Sequence, residues 1–94
     1  MTSTLIFNDY AADWCRPCKD MEPILYELKD IYGFTLNKIN VDDDTKAAQD
    51  NGIMSIPTLI VTTQDGVTVE RMVGFQTKAK LEALIKKYLV GKNG

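Results

Sequence analysis

The 94-residue sequence contains no histidine and only two cysteines, which limits the metal chemistry it can support. A structural zinc site needs about four ligands, so the chain cannot complete a Cys/His site within one molecule. It also lacks any apolar run near the roughly 18 residues of a membrane span. Its start, MTSTLIFNDY, has neither the basic nor the long apolar region of a secretory signal. We therefore expect a cytoplasmic protein, in a compartment where thiols are kept reduced.

The sequence also has no large excess of charge of either sign, because 13 acidic residues nearly balance 11 basic ones and leave a net charge of −2. A weakly acidic chain argues against nucleic acid or an anionic membrane as a partner. Hydrophobic residues make up 45% of the sequence and charged residues 26%, as in soluble globular proteins. The length suits a single domain over residues 1–94, which we expect to act as a monomer.

Apolar periodicity and turn residues predict an alternation of strands and helices. Runs rich in β-forming residues predict strands over 4–10, 35–41, 57–63 and 67–73. A helix should begin just after Cys15, with Pro17 and Cys18 in its first turn, kink at Pro23 and end at Gly33. Its apolar face comprises Met21, Leu25, Leu28, Ile31 and Tyr32.

Capping residues complete this prediction. One aspartate among residues 42–44 should cap a short helix that ends by Gly52, and Thr77 should cap a last helix to about residue 88, followed by a frayed GKNG tail. Asp65-Gly66 indicates a hairpin between the last two strands. The order β-α-β-α-β-β-α predicts an α/β fold, a four-stranded mixed sheet with helices on both faces.

Both cysteines lie in the stretch DWCRPCK, residues 13–19. Cys15 should precede the first helix, where free N–H groups and the helix dipole favour negative charge, so we expect an exposed thiol with a depressed pKa. Cys18 should face the helix–sheet interface. This asymmetry predicts that Cys15 attacks a disulfide and Cys18 resolves the mixed disulfide. A structural disulfide closing a small loop, or a metal or iron–sulfur cluster bridging two chains, are the alternatives.

The stretch resembles the active site of the thioredoxin family, which typically reads Trp-Cys-Gly-Pro-Cys-Lys after a strand. The resemblance spans nearly the whole chain. The matching positions are Trp14, Cys15, Pro17, Cys18 and Lys19, the acid Asp9 and its lysine partner Lys38, Pro23, and the segments SIPT (55–58) and VGF (73–75).

The resemblance implies a thioredoxin-like fold and a protein-disulfide reductase that needs no bound cofactor or metal. Its partners would be disulfide-containing proteins and an external reductase that recharges it. Two rivals stay open: a glutaredoxin-like reductase recharged by glutathione, and a non-catalytic binding module built on the same fold. Replacing both cysteines by serine would separate a reductase from a scaffold.

Three features depart from the family pattern. Arg16 replaces glycine, and its charge beside Cys15 predicts a stabilised thiolate and a less negative reduction potential. The sequence has no counterpart of the family's first strand and helix, so strand 35–41 should be a sheet edge. Ala11 stands where an aromatic residue is common, and Phe75 stands where a small residue is common and is expected to reshape the substrate rim.

The family's buried acid corresponds to Asp9, which would take the proton of Cys18 while the buried Lys38 moderates its raised pKa. A solvated carboxylate and an ordinary surface lysine are the alternatives. The predicted substrate rim consists of Trp14, Arg16, Pro17, Ile56, Pro57, Gly74 and Phe75. The resemblance implies a cis Ile56-Pro57 bond that presents the backbone of Ile56 to an extended substrate, whereas a trans bond and a core-packed Trp14 are the default alternatives.

Overall fold

The fold is seen in a computed structural model that describes residues 5–93, with side chains described as far as residue 88. The elements run β1 (Ile6–Ala11), α1 (Arg16–Tyr32), β2 (Thr35–Asn40), α2 (Thr45–Asp50), β3 (Thr58–Thr62), β4 (Thr68–Val73) and α3 (Lys78–Asn93). This is the predicted element order. Thr4, the predicted start of the first strand, lies outside the described residues.

The four strands form one mixed sheet in the order β2-β1-β3-β4. β1 runs parallel to β2, whereas the β1–β3 and β3–β4 pairs are antiparallel. Among the described residues β2 pairs only with β1, so it lies at a sheet edge as expected. The predicted α/β fold is confirmed.

The main core fills the space between one face of the sheet and the helices α1 and α3. Phe7 of β1 and its register partner Val61 of β3 alternate with residues of the other face. They are fully buried in this core, to which α1 contributes Met21, Leu25 and Leu28 and α3 contributes Leu81, Leu84 and Ile85.

The opposite face of the sheet meets the end of α2. Arg71 of β4 lies in register with Ile60 on that face. Its guanidinium donates hydrogen bonds to the carbonyls of Asn51 (2.9 Å) and Gly52 (2.8 Å), which follow α2. The sheet is therefore flanked by helices on both sides, as predicted.

Caps and turns explain where most elements stop. Gly33 adopts φ 76° and donates its N–H to the carbonyl of Lys29 at 2.7 Å, which ends α1. The side chain of Asp44 caps α2, and that of Thr77 accepts from the N–H of Lys80 at the start of α3. The hairpin turn at Gly66 is also present, with φ 88°.

Two predictions about the helices have different outcomes. α3 continues to Asn93, so the prediction that the chain frays from Gly91 was wrong for residues 91–93. A single glycine costs a helix only about 1 kcal/mol and does not force it to end. Pro23 lies inside α1, which continues through it to Tyr32, and the kink there stays a prediction.

Candidate active site

The two cysteines are joined at the N-terminus of α1. Cys15 is the N-cap residue, with φ −88° and ψ 107°, and its backbone N–H donates to the carbonyl of Ala12 at 3.1 Å. The Cα atoms of Cys15 and Cys18 lie 5.3 Å apart, and their sulfurs form a disulfide. The structure therefore represents the oxidised form of the site.

Local geometry distinguishes the two sulfurs. The Sγ of Cys15 accepts a hydrogen bond from the backbone N–H of Cys18 at 3.3 Å. The first turn of α1, all of which is described, carries no acidic side chain. The Sγ of Cys15 thus occupies a position where the helix N-terminus stabilises a negative charge.

The prediction that Cys15 is exposed is wrong for this oxidised form. Only 4% of Cys15 is exposed, compared with 5% of Cys18. The reason is packing outside the main core: both cysteines and Ala12 form a small cluster, against which Val41 and Ile56 lie. The two cysteines therefore do not differ in burial. They differ in that the Sγ of Cys15 accepts the hydrogen bond from the N–H of Cys18.

Trp14 turns outward beside this cluster. It is 70% exposed, so the alternative of core packing for this residue is wrong. Its indole Nε1 donates a hydrogen bond of 2.8 Å to the carboxylate of Asp42, which lies just after β2. This bond holds an apolar ring at the surface next to the disulfide.

The loop before β3 contacts the disulfide from the other side. The Ile56-Pro57 peptide bond is cis, as the resemblance implied. Ile56 is half-buried against the cysteine cluster, and no hydrogen bond joins it to another described residue. Pro57 is buried, so the expectation that it forms part of an exposed rim is wrong; its carbonyl instead accepts from the N–H of Gly74 at 2.8 Å.

An apolar groove beside Trp14 was not predicted from the sequence. It is lined by Trp14, Val41, Ala48, Ile53, Met54, Ser55 and Ile56. Met54 is 95% exposed. Gly74 has φ 92° and Phe75 is exposed; their place in the substrate rim stays a prediction.

Asp9 is buried on the core face of β1, so the alternative of a solvated carboxylate is wrong. It is 2% exposed, and its Oδ1 has no hydrogen-bond partner among the described residues. Burial raises the pKa of Asp9 from 3.8 to about 6, while the charge of Lys38, its register partner on β2, lowers it.

A cavity of about 230 Å³ connects the buried acid with the disulfide. Asp9 and Cys18 both line it, so the structure brings these two predicted site residues together. The remaining lining residues are Ala11, Ala12, Asp13, Lys19, Glu22, Lys38, Ile39 and Asn40.

Lys38 is not buried, contrary to what the resemblance implied. Its side chain is 41% exposed, because β2 is an edge strand that leaves it open to solvent. Its ammonium forms an ion pair with Glu22 of α1 and lies 5.7 Å from the centre of the Tyr26 ring. The surface-lysine interpretation fits this placement, although Lys38 still lines the cavity with Asp9.

Arg16 also points to solvent. Its side chain is 84% exposed, and its Nε donates to the Asp20 carboxylate at 3.1 Å. A neighbouring carboxylate and exposure to water both offset the guanidinium charge. This pairing opposes the predicted effect of Arg16 on the reduction potential.

Within the described residues no group of three or more His, Cys, Asp or Glu side chains is placed to hold a metal ion. In the same part of the chain, no helix has the length and apolar character needed to cross a membrane.

A disulfide at a helix N-terminus, flanked by a cis-proline loop and an exposed tryptophan, defines a thiol–disulfide exchange site. The family profile described as thioredoxin matches residues 2–87. Thioredoxin from Bacillus subtilis is 44% identical over 87 residues, covering 90% of this chain and 83% of that one. Thioredoxin from Listeria monocytogenes is 37% identical, covering 90% and 84%.

Solved structures agree with these relatives. A single-site mutant of thioredoxin from Halobacterium salinarum superposes with a TM-score of 0.84 at 35% identity, over 92% of this chain and 75% of that one. Mitochondrial thioredoxin 3 from Saccharomyces cerevisiae, in its oxidised form, gives 0.79 at 29% identity, over 90% and 79%. The chain belongs to the thioredoxin family and is a thiol–disulfide oxidoreductase with disulfide reductase activity.

Proposed function

We propose that Cys15 is the attacking cysteine and Cys18 the resolving cysteine in the reduction of protein disulfides. The Cys15 thiolate forms a bond to one substrate sulfur, and the other substrate sulfur leaves and takes a proton. Cys18 then loses its proton and attacks the Sγ of Cys15, which releases the second substrate thiol. The substrate gains two electrons and two protons, and the protein is left with the Cys15–Cys18 disulfide.

The observation that carries this assignment is the N-cap position of Cys15. A negative sulfur there is stabilised by the helix N-terminus and by the N–H of Cys18, which lies 3.3 Å from the Sγ of Cys15. Cys18 lies within the first turn of the helix and faces the cavity instead. Nucleophilic attack therefore suits Cys15 better.

Asp9 is the proposed base for Cys18. Both residues line one cavity, and burial raises the pKa of Asp9 to about 6. A base works best when its pKa lies near the working pH, because it is then both ionised and able to hold a proton. Lys38 lines the same cavity, and its charge limits how far the pKa of Asp9 rises.

The substrate is proposed to lie across the groove and the loop before β3. Ile56 supports this, since its backbone N–H and C=O make no hydrogen bond to another described residue, and an extended segment could pair with them as an added strand. Trp14 supplies an exposed apolar surface next to Cys15. The other proposed substrate contacts are Arg16, Pro17, Gly74 and Phe75, with Pro57 supporting the loop from below.

The recharging partner is proposed to be a thioredoxin reductase, acting on a monomer in the cytoplasm. The identity to bacterial thioredoxins favours this electron donor over glutathione. The test is reduction of insulin disulfides with each donor supplied alone. Turnover with thioredoxin reductase and NADPH is expected; turnover with glutathione alone would favour the glutaredoxin-like alternative instead.

Variants test the residue roles in the same assay. Cys15→Ser should abolish insulin reduction, and Asp9→Asn should slow the release of the second product thiol. Asp43→Asn, an exposed aspartate of the loop after β2, is the matched control and should retain full activity. Full turnover by a double cysteine-to-serine variant would contradict the proposed chemistry.

A further inference from the structure

The mouth of the Asp9 cavity carries an ion pair that the mechanism above leaves unused. Glu22 lies four residues after Cys18 on α1, and therefore on the same face of the helix. Its carboxylate pairs with the ammonium of Lys38, the register partner of Asp9 on β2. Both side chains are partly exposed, at 39% and 41%, so the pair lies between the buried acid and solvent.

Four charged residues line the cavity together with Asp9: Asp13, Lys19, Glu22 and Lys38. The other sheet neighbour of β1 is β3, which places the apolar Leu59 opposite Asp9 in the sheet register and so adds no charge there. Of these four, Lys38 is the group whose charge lowers the pKa of Asp9 against the effect of burial. Burial is the larger influence on the pKa of Asp9 and the charge of Lys38 opposes it, and Glu22 is the ion-pair partner of this lysine.

We propose that Glu22 is a positioning residue for proton transfer from Cys18 to Asp9 that acts through Lys38: its carboxylate offsets the charge of the Lys38 ammonium, which lines the same cavity. The inference rests on the proposed role of Asp9 as base. Without Glu22, the full charge of Lys38 would act on Asp9 and hold it as a weaker base. With Glu22, the acid keeps its affinity for a proton near neutral pH.

The test is the variant Glu22→Gln, which keeps the length of the side chain and removes its charge. The ionisation of Asp9 is followed by carbon NMR of the oxidised protein, in which neither cysteine titrates. We expect the Asp9 midpoint to move to lower pH by roughly half a unit or more, since charges a few ångströms apart at a protein surface interact with this strength. The acidic limb of the pH–rate profile for product release should move in the same direction.

Glu27→Gln is the matched control. Glu27 lies on the same helix and pairs with Lys78 at 2.7 Å, but it does not line the cavity. Its variant should leave the Asp9 titration unchanged. In a Lys38→Met background, Glu22→Gln should shift the Asp9 midpoint by less than it does in the wild type. Without Lys38 there is no lysine charge for Glu22 to offset.

An Asp9 midpoint that stays in place or rises in Glu22→Gln would overturn the inference alone, whatever the role of Asp9. If Asp9→Asn leaves the pH–rate profile unchanged, the proposed role of Asp9 fails instead, and the NMR shift would then describe an ion pair without a part in turnover. Support requires the kinetic shift caused by Glu22→Gln to vanish when Asp9 is already asparagine.

Discussion

Replacing Asp9 by asparagine should remove a pH-dependent loss of stability from the oxidised protein, because Asp9 is a buried carboxyl that ionises below neutral pH. The buried carboxyl is more basic in the folded chain than in the unfolded chain, with a pKa of about 6 against 3.8. Between these values the folded state binds more protons than the unfolded state. The free energy of unfolding therefore falls as the pH rises through this window and levels off above it.

The magnitude follows from the size of the pKa shift. A rise from 3.8 to about 6 corresponds to about 3 kcal/mol, at 1.36 kcal/mol per unit. That is a large part of the stability of a typical small domain. Asparagine does not ionise, so the variant does not lose these about 3 kcal/mol as the pH rises. Its buried amide has a cost of its own, because Oδ1 of Asp9 has no partner among the described residues, but this cost does not depend on pH.

The assay is urea unfolding of wild type and Asp9→Asn at closely spaced pH values from 3.5 to 8. Subtracting the unfolding free energy of the variant from that of the wild type cancels the contributions of all groups that titrate alike in both proteins. The difference should change in favour of asparagine by about 3 kcal/mol in total, most steeply between pH 3.8 and about 6, and level off at pH values outside this window. A difference that does not depend on pH would refute the claim that Asp9 is buried with a raised pKa.

Three further predictions concern other parts of the site. Cys18→Ser should accumulate a mixed disulfide between Cys15 and the substrate, seen as a covalent adduct on non-reducing gels; free turnover would contradict the assigned roles. Arg71→Met removes two hydrogen bonds to the carbonyls after α2, and should raise KM for insulin more than it lowers kcat, because that loop leads to the substrate groove. Asp44→Ala removes the N-cap of α2 and should cost about 1 kcal/mol in urea unfolding, whereas Asp43→Ala should cost much less.

The fold was accessible from the sequence because its main signals are local. Gly33 ends α1 through its own backbone conformation, and Asp65-Gly66 forms a turn between the strands it separates. The side chain of Thr77 caps α3 three residues away. Such signals depend on near neighbours in the chain, so the sequence alone displays them. The end of α3 was missed because Gly91 weakens a helix without stopping it.

The site was predicted in its residues but less well in its surroundings. The burial of Cys15 depends on Ile56, which lies far along the chain. The partner of Trp14 is Asp42 from the loop after β2, and Lys38 reaches Glu22 because a helix crosses an edge strand. Contacts of this kind arise from tertiary packing and leave no local pattern.

Glu22 nevertheless left one signal in the sequence. It follows Cys18 at a spacing of four, which places both residues on one face of α1. An acid on the face of the resolving cysteine could have been singled out from this spacing. Met54 left none, because an exposed residue in a loop has no periodicity to read.

The central claim is that the start of α1 makes Cys15 the more acidic and more reactive of the two thiols. It is tested most directly by alkylating the fully reduced protein with iodoacetamide across a range of pH and locating the modified residue by mass spectrometry. The account predicts that Cys15 is modified first, with a midpoint well below the roughly 8.5 of a free cysteine, while Cys18 stays unmodified. Modification of Cys18 first, or a Cys15 midpoint at or above that of a free thiol, would contradict it.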